Sequence, residues 1–278
     1  MTQTTMKSNY NFLLTNNEYQ KLLTKISTVD DFMEDFGELS WGRDFIEYQG
    51  KIISLQKIAI SSELTLSNCI KCCRYGCIAD ANILLRKYRD DLLFYLYLSV
   101  YKLEQQDKLP NEQRDDTISK WFQNELSNLY YWQVMNRIKS IPSLKDAIKK
   151  NNLDESMKKI ANRLNNFTHG NGEHFYNMNV NIFNQKELQN NLKQLVDDTI
   201  YITTMFLFLL ILCSPLSVMA TDYTDYLDNG QSPLEVSQYF IAPYVEDFIE
   251  NNIKMLDSNC LNYLINNTHM KFSNLPPQ

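Results

Sequence analysis

Glycine and proline are scarce in this chain, and their scarcity limits the possible folds more than any other feature of the sequence. Only seven of each occur in 278 residues. All-β folds need many tight turns, and those turns depend on glycine, proline, asparagine and aspartate. Asparagine is abundant here, but it lies mostly inside segments with the apolar spacing of helices. The sequence therefore predicts an all-α protein, a multi-helix bundle with a smaller helical C-terminal part.

Turn signals divide this predicted helical chain into three parts. We expect an N-terminal helical extension over residues 1–49, a helical bundle over 50–220 and an acidic helical part over 221–278. Apolar residues after Gly50 predict a long helix, which Gly76 separates from the next one. The predicted helices that follow cover 78–103, 115–139 and 154–169.

Local signals predict where three of the later elements begin and end. Asp154 is the expected N-cap of its helix, and Gly170-Asn171-Gly172 is a strong stop signal at the other end. Residues 178–182 alternate between apolar side chains and asparagine, which predicts a short strand or extended segment. Asn184 followed by Glu187 predicts a capping box for the next helix.

Charge is distributed unevenly along the chain. The net charge is −6, whereas a protein whose whole surface binds nucleic acid is usually basic. Residues 137–163 nevertheless hold eight basic and three acidic side chains, a local net of +5. Residues 222–257 hold eight acidic side chains and one lysine, a local net of −7. The basic segment would attract a polyanion, but two differently solvated faces explain the pattern equally well.

Four of the six cysteines lie close together, at positions 69, 72, 73 and 77. On one helix, these spacings place the thiols on one face. A tetrahedral zinc site takes ligands from more than one direction, so we predict buried free thiols and no metal. No signal peptide is recognised, and we expect a cytoplasmic protein with reduced cysteines and no cofactor.

An uncharged run from Thr199 to Thr221 raises the question of a membrane. A spanning helix needs about 20 predominantly apolar residues, and this run approaches that length. Threonine and serine side chains and Pro215 make the run less apolar, and no lysine or arginine lies near either end to set an orientation in a membrane. The central helix of a bundle is also apolar all round. We predict a buried helix and keep membrane association as the alternative.

Two segments of the predicted bundle contain the residues best suited to chemistry. The first, Gly76 to Asp90, places Arg86 and Asp90 four residues apart on one helical face. The second has the sequence Arg-Leu-Asn-Asn-Phe-Thr-His and places Arg163 and His169 near the end of a later helix. Asn165 and Asn166 lie between them.

This pair of segments resembles the HEPN superfamily of helical bundles, whose core helix carries an arginine, a short spacer and a histidine. It is also similar to a branch of that superfamily found near bacterial phage-defence genes. The resemblance covers about residues 50–215. It implies a metal-independent endoribonuclease of a defence or toxin–antitoxin system. It also implies RNA as the substrate, a homodimer with a shared cleft, and a neutralising or sensor protein as a further partner.

The resemblance also implies roles for individual residues. His169 would be the general acid and base, Arg163 would hold the phosphate, and Asn165 or Asn166 would be the polar residue that follows the arginine. Arg86 and Asp90 would support the site from the earlier helix. One position departs from the pattern, because the family commonly has a polar residue directly after the arginine and this chain has Leu164.

The chemistry of these residue types supports the same site. Metal-free RNA cleavage needs a base for the 2′-hydroxyl proton and an acid for the leaving oxygen, and histidine can serve as both near neutral pH. A guanidinium binds phosphate oxygens in two places. The carbonyl end of a helix favours a protonated His169.

Other interpretations of the same residues stay open. Arg86 and Asp90 are equally well explained as a structural ion pair that orients two helices. Arg163 and His169 are structural if the protein is a non-catalytic helical interaction module. The third alternative is a membrane-associated effector that uses Thr199 to Thr221.

Overall fold

The computed structural model describes residues 12–39, 44–105, 115–126, 129–180, 184–220, 225–226, 228–232, 240–268 and 270–272. Helices dominate this part of the chain, so the predicted all-α multi-helix bundle is confirmed. The helices are α1 (Asn17–Leu39), α2 (Leu55–Arg74), α3 (Ile78–Gln105), α4 (Asp116–Phe122), α5 (Tyr131–Ile138), α6 (Pro142–Lys150), α7 (Leu153–His169), α8 (Glu173–Val180), α9 (Gln185–Cys213), α10 (Pro243–Asn252) and α11 (Cys260–Asn267). Two short strands, β1 (Phe45–Tyr48) and β2 (Lys51–Ser54), form an antiparallel hairpin, and short 3-10 helices cover Pro215–Val218 and Ile253–Met255.

Helices α3 and α9 form the centre of the bundle. Helix α9 packs against α1, α3 and α10, and every residue from 198 to 211 is buried. Its threonine hydroxyls need no water, because they donate to backbone carbonyls four residues earlier. Thr203 also shares a 2.7 Å hydrogen bond with the hydroxyl of Tyr88 on α3. By length and composition α9 is able to span a membrane, and 89% of its most apolar window is buried inside the bundle.

The hairpin occupies the place where the sequence predicted the start of a helix. Gln49 and Gly50 both have positive φ, at 50° and 74°, and they connect Tyr48 to Lys51 in a two-residue turn. Such turns match the twist of the paired strands. The apolar residues just after Gly50 therefore belong to β2, and α2 begins only at Leu55.

The prediction of one helix over residues 115–139 was wrong, since this segment forms α4 and α5. Asp115 caps α4 by accepting hydrogen bonds from the amides of Thr117 and Ile118 at 2.9 and 3.1 Å. Soon after α4 ends, Asn124 adopts a φ of 58°, which no helix interior allows. Pro142 is the first residue of α6, where its missing amide hydrogen costs nothing.

Residues 173–180 form helix α8, so the predicted extended segment was wrong within the described residues. The alternation of apolar side chains and asparagine predicted an extended segment, but two tertiary contacts favour the helix. Phe175 packs its ring edge-on against Phe167 of α7, with the centroids 4.7 Å apart. Asn179 accepts a 2.9 Å hydrogen bond from the backbone amide of Ala79 at the start of α3.

Two predicted caps had different outcomes. Asp154 lies inside the first turn of α7, and the N-cap is Asn152, with a φ of 50°. Asn184 does cap α9, because its side chain accepts from the Glu187 amide at 3.2 Å, but the Glu187 carboxylate accepts from the Asn184 side chain at 3.1 Å and not from its backbone amide as in a capping box.

The four clustered cysteines do not share one helical face, as the sequence had predicted. Helix α2 ends at Arg74, and Gly76 follows with a φ of 77°, so Cys77 lies in the turn beyond the helix. Cys69 and Cys73 are buried, while Cys72 and Cys77 are partly buried. All six cysteines are free thiols.

Candidate active site at the end of helix α7

The end of α7 is shaped by its glycine stop. Gly170 adopts a φ of 58°, and its amide donates to the carbonyl of Phe167. The next amide, of Asn171, donates to the carbonyl of Asn166 at 3.0 Å. These two bonds form a Schellman motif, so the predicted end of the helix is confirmed. Because the motif fixes the last turn, it also fixes the position of His169.

The apolar face of α7 explains the departure from the family pattern at Leu164. Buried side chains recur along this helix at helical spacing: Leu153, Met157, Ile160, Ala161, Leu164 and Phe167. Leu164 is fully buried on that face, and α7 packs there against α3. A polar side chain at this position would lose its hydration without a guaranteed partner.

Arg163 projects toward α9 and forms an ion pair with Asp198 through its Nη2 atom. Asp198 is only 4% exposed, and its second oxygen accepts a 2.9 Å hydrogen bond from Gln194. Burial lowers the pKa of Arg163 to about 10. This value is still well above 7, so the guanidinium stays charged at neutral pH.

Sequence reasoning missed Asp198, although a signal for it was present. Asp198 is the last charged residue before the uncharged run of α9. An acid at the edge of a buried helix needs a cationic partner, because an isolated charge is too costly to bury. That requirement pointed to an arginine or lysine on a neighbouring helix, but only the fold identifies it as Arg163.

His169 is the last residue of α7, and its side chain is exposed to solvent. It lies six positions after Arg163, which places the two side chains about 120° apart around the helix. Within one chain the arginine therefore faces α9, while the histidine faces the solvent. Asn165 and Asn166 are both half-buried, and the side-chain oxygen of Asn166 accepts from the Asn171 side chain at 3.3 Å.

Arg86 and Asp90 form a contact within α3, with Arg86 Nε lying 3.7 Å from Asp90 Oδ2. The other oxygen of Asp90 accepts two hydrogen bonds from Arg89, at 2.9 and 2.6 Å. Arg89 is almost fully buried, and sequence reasoning missed it. Asp90 therefore balances two arginines of its own helix, and the carboxylate that engages Arg163 belongs to Asp198.

Ion pairs occupy most of the basic segment over residues 137–163. The pairs are Arg137 with Glu104, Lys139 and Lys158 with Asp154, Lys150 with Asp146, Lys159 with Glu155, and Arg163 with Asp198. The exposed pairs among them are weak and exchange readily with ions in solution. The local positive charge is thus partly balanced before any polyanion arrives.

Neither of the other two histidines can be placed relative to this site. The side chain of His174 and all of His269 lie outside the described residues. Within the described ranges, no three His, Cys, Asp or Glu side chains are placed to hold a metal ion.

No family model, curated protein or solved structure matches the chain.

Proposed function

We propose that the protein is a HEPN-like, metal-independent endoribonuclease that acts through Arg163 and His169 at the end of α7. One observation carries the proposal. A single helix combines a solvent-exposed histidine in its last turn with a charged arginine that Asp198 of another helix holds in place. The sequence resemblance to a defence-associated branch extends the proposal to a role in bacterial defence or a toxin–antitoxin system.

His169 has the accessibility that proton transfer to and from RNA requires. As a base, its imidazole takes the proton of the 2′-hydroxyl, whose oxygen then attacks the adjacent phosphorus. An acid must give a proton to the departing 5′-oxygen in the same reaction. A single imidazole cannot do both at once, so a second copy of the chain supplies the other histidine. The proposal therefore includes a homodimer with two facing α7 ends.

Arg163 supplies positive charge where negative charge develops on the phosphate. A guanidinium has five N–H donors, and the contact with Asp198 is made at its Nη2 end. The side chain keeps 27% of its surface exposed, which leaves room for a phosphate oxygen at the other donors. Asp198 acts through Arg163 and is a positioning residue, because it fixes the direction of the guanidinium.

Cleavage of a fluorescently labelled RNA in EDTA tests this proposal. We expect His169→Ala to reduce the rate about 100- to 10,000-fold, since it removes general acid–base catalysis. We expect Arg163→Ala to reduce the rate about 100- to 1,000-fold, since it removes charge stabilisation. Lys21→Ala, at an exposed residue of α1, is the matched control and should leave the rate unchanged. Cleavage that survives either site substitution in a folded protein overturns the proposal.

A non-catalytic interaction module is the second candidate, and the same ion pair favours it. A buried carboxylate that binds an arginine from another helix is also a common structural device. This candidate predicts that Arg163→Ala lowers stability while the wild type cleaves no RNA.

A membrane-associated effector requires α9 to leave the bundle, because the apolar run lies in its core. This candidate predicts that the expressed protein is found in the membrane fraction, whereas the ribonuclease proposal predicts the supernatant.

A further inference from the structure

Tyr176 of α8 lies directly against the end of α7. A Cβ atom added to Gly170 would lie 2.2 Å from the Tyr176 hydroxyl oxygen and 2.8 Å from the ring carbon that bears it. Both distances are far inside van der Waals contact, so a larger residue at position 170 would force the Tyr176 side chain to shift. Because Gly170 follows His169 directly, the phenol lies at the helix end that carries the proposed catalytic histidine.

Contacts on both sides of Tyr176 hold α8 in place. The preceding residue, Phe175, packs edge-on against Phe167 of α7. Three residues later, Asn179 accepts a 2.9 Å hydrogen bond from the backbone of Ala79 on α3. Helix α8, which carries Tyr176, is therefore held against both α3 and α7.

The Tyr176 ring is nevertheless open to solvent, with 66% of the residue exposed. Single exposed aromatic residues are common on protein surfaces and need no explanation by themselves. Tyr176 differs from them in its position, because its hydroxyl lies against Gly170, the residue that follows the exposed His169. These features match a flat surface that is kept free for a ligand.

We infer that Tyr176 stacks against an unpaired nucleobase next to the scissile phosphate and so helps to position the RNA strand. This inference rests on the proposed ribonuclease function. Every base has a π-face that stacks on an aromatic side chain, so the contact tolerates many sequences. Bases in a duplex are already stacked within the helix, and their faces are not available. A base stacked on Tyr176 places the neighbouring ribose and phosphate near His169.

Binding of an uncleavable RNA tests the inference separately from catalysis. The probe is a fluorescein-labelled 2′-O-methyl single strand, compared with its duplex, and fluorescence anisotropy with the full-length protein gives Kd. We expect Tyr176→Ala to raise Kd for the single strand roughly 5- to 150-fold. Tyr176→Phe, which keeps the ring, should bind like the wild type. Tyr75→Ala should also leave binding unchanged, because Tyr75 is equally exposed, at 64%, but lies beyond the end of α2.

Three results overturn the inference: no single-strand binding by the wild type, equal binding by Tyr176→Ala, or equally tight duplex binding. Circular dichroism checks that each variant folds, and Tyr176→Leu replaces Tyr176→Ala if the smaller side chain unfolds the protein. The two proposals fail separately. If RNA is cleaved and Tyr176→Ala leaves KM unchanged, the stacking role fails and the ribonuclease stands. If binding depends on Tyr176 but no RNA is cleaved, the ribonuclease fails and the binding site stands.

Discussion

Removal of the Asp198 carboxylate tests how the fold holds Arg163. Asp198 lies on α9 and is 4% exposed, and it bridges Arg163 of α7 and Gln194 of its own helix. In Asp198→Ala, the arginine stays largely buried and charged but has lost its counter-charge. In Arg163→Ala, the buried carboxylate loses its counter-charge and keeps only the hydrogen bond from Gln194.

The structure sets the size of the expected effect. Removing one partner of a fully buried ion pair costs about 3–5 kcal/mol. Arg163 keeps 27% of its side-chain surface exposed, so water offsets part of the loss and we expect about 2–3 kcal/mol for Asp198→Ala. In a protein of this size, each kcal/mol lowers the melting temperature by about 2–4 °C. We therefore expect Tm to fall by about 5–10 °C.

Urea unfolding followed by circular dichroism gives the free energy of unfolding for a double-mutant cycle. We expect Asp198→Ala and Arg163→Ala together to cost less than the sum of the two, with a coupling energy of about 1–3 kcal/mol. Lys193→Ala is the control, because Lys193 is exposed and its ion pair with Asp197, one turn later on α9, should contribute at most about 1 kcal/mol. Additive effects of the two site substitutions would refute the assignment of Asp198 as the partner of Arg163.

Further predictions concern the helix end, the pH dependence of stability and the apolar core. Gly170→Ala should destabilise the protein more than Gly230→Ala in urea unfolding: both have positive φ, but only an added Cβ at Gly170 collides, with Tyr176. Equal losses would contradict that contact. Burial and neighbouring carboxylates raise the pKa of Asp30 from 3.8 to about 6. Between pH 3.8 and about pH 6 the Asp30 carboxyl is therefore more protonated in the folded state than in the unfolded state, and stability falls as pH rises through this range. Asp30→Asn should accordingly gain about 1 kcal/mol in free energy of unfolding over the wild type at pH 7, after a discount for its partly exposed side chain, and nothing at pH 4; an equal gain at both pH values would contradict this. Leu209→Asp places an unpaired charge in the core and should abolish folding, as circular dichroism and gel filtration would show, whereas a folded variant would contradict the burial of α9.

Features that depend on local chemistry could be predicted from the sequence. The shortage of glycine and proline was enough to predict a helical protein. The stop at Gly170 was predicted because a left-handed residue at a helix end favours glycine. The cap at Asn184 was predicted because a short polar side chain can accept from an amide three residues later.

Features that depend on distant contacts could not be predicted in the same way. Arg163 and Asp198 are far apart in the sequence, and no local pattern pairs them. Asp90 had the right charge and a suitable helical position, but two arginines of its own helix engage it. Tyr176 lies in α8, whose last residues begin the alternation that predicted an extended segment over 178–182, and contacts with α3 and α7 favour the helical form instead.

Cleavage of a chimeric RNA in EDTA tests the central claim most directly. The probe is a single strand with one ribose, at a known position, in an otherwise 2′-deoxy chain. If His169 activates the 2′-hydroxyl, the wild-type protein cuts only after that ribose and leaves a 2′,3′-cyclic phosphate and a 5′-hydroxyl end. His169→Ala should leave the strand intact. Cutting at deoxy positions, a requirement for added metal, or equal cutting by His169→Ala would contradict the proposed chemistry.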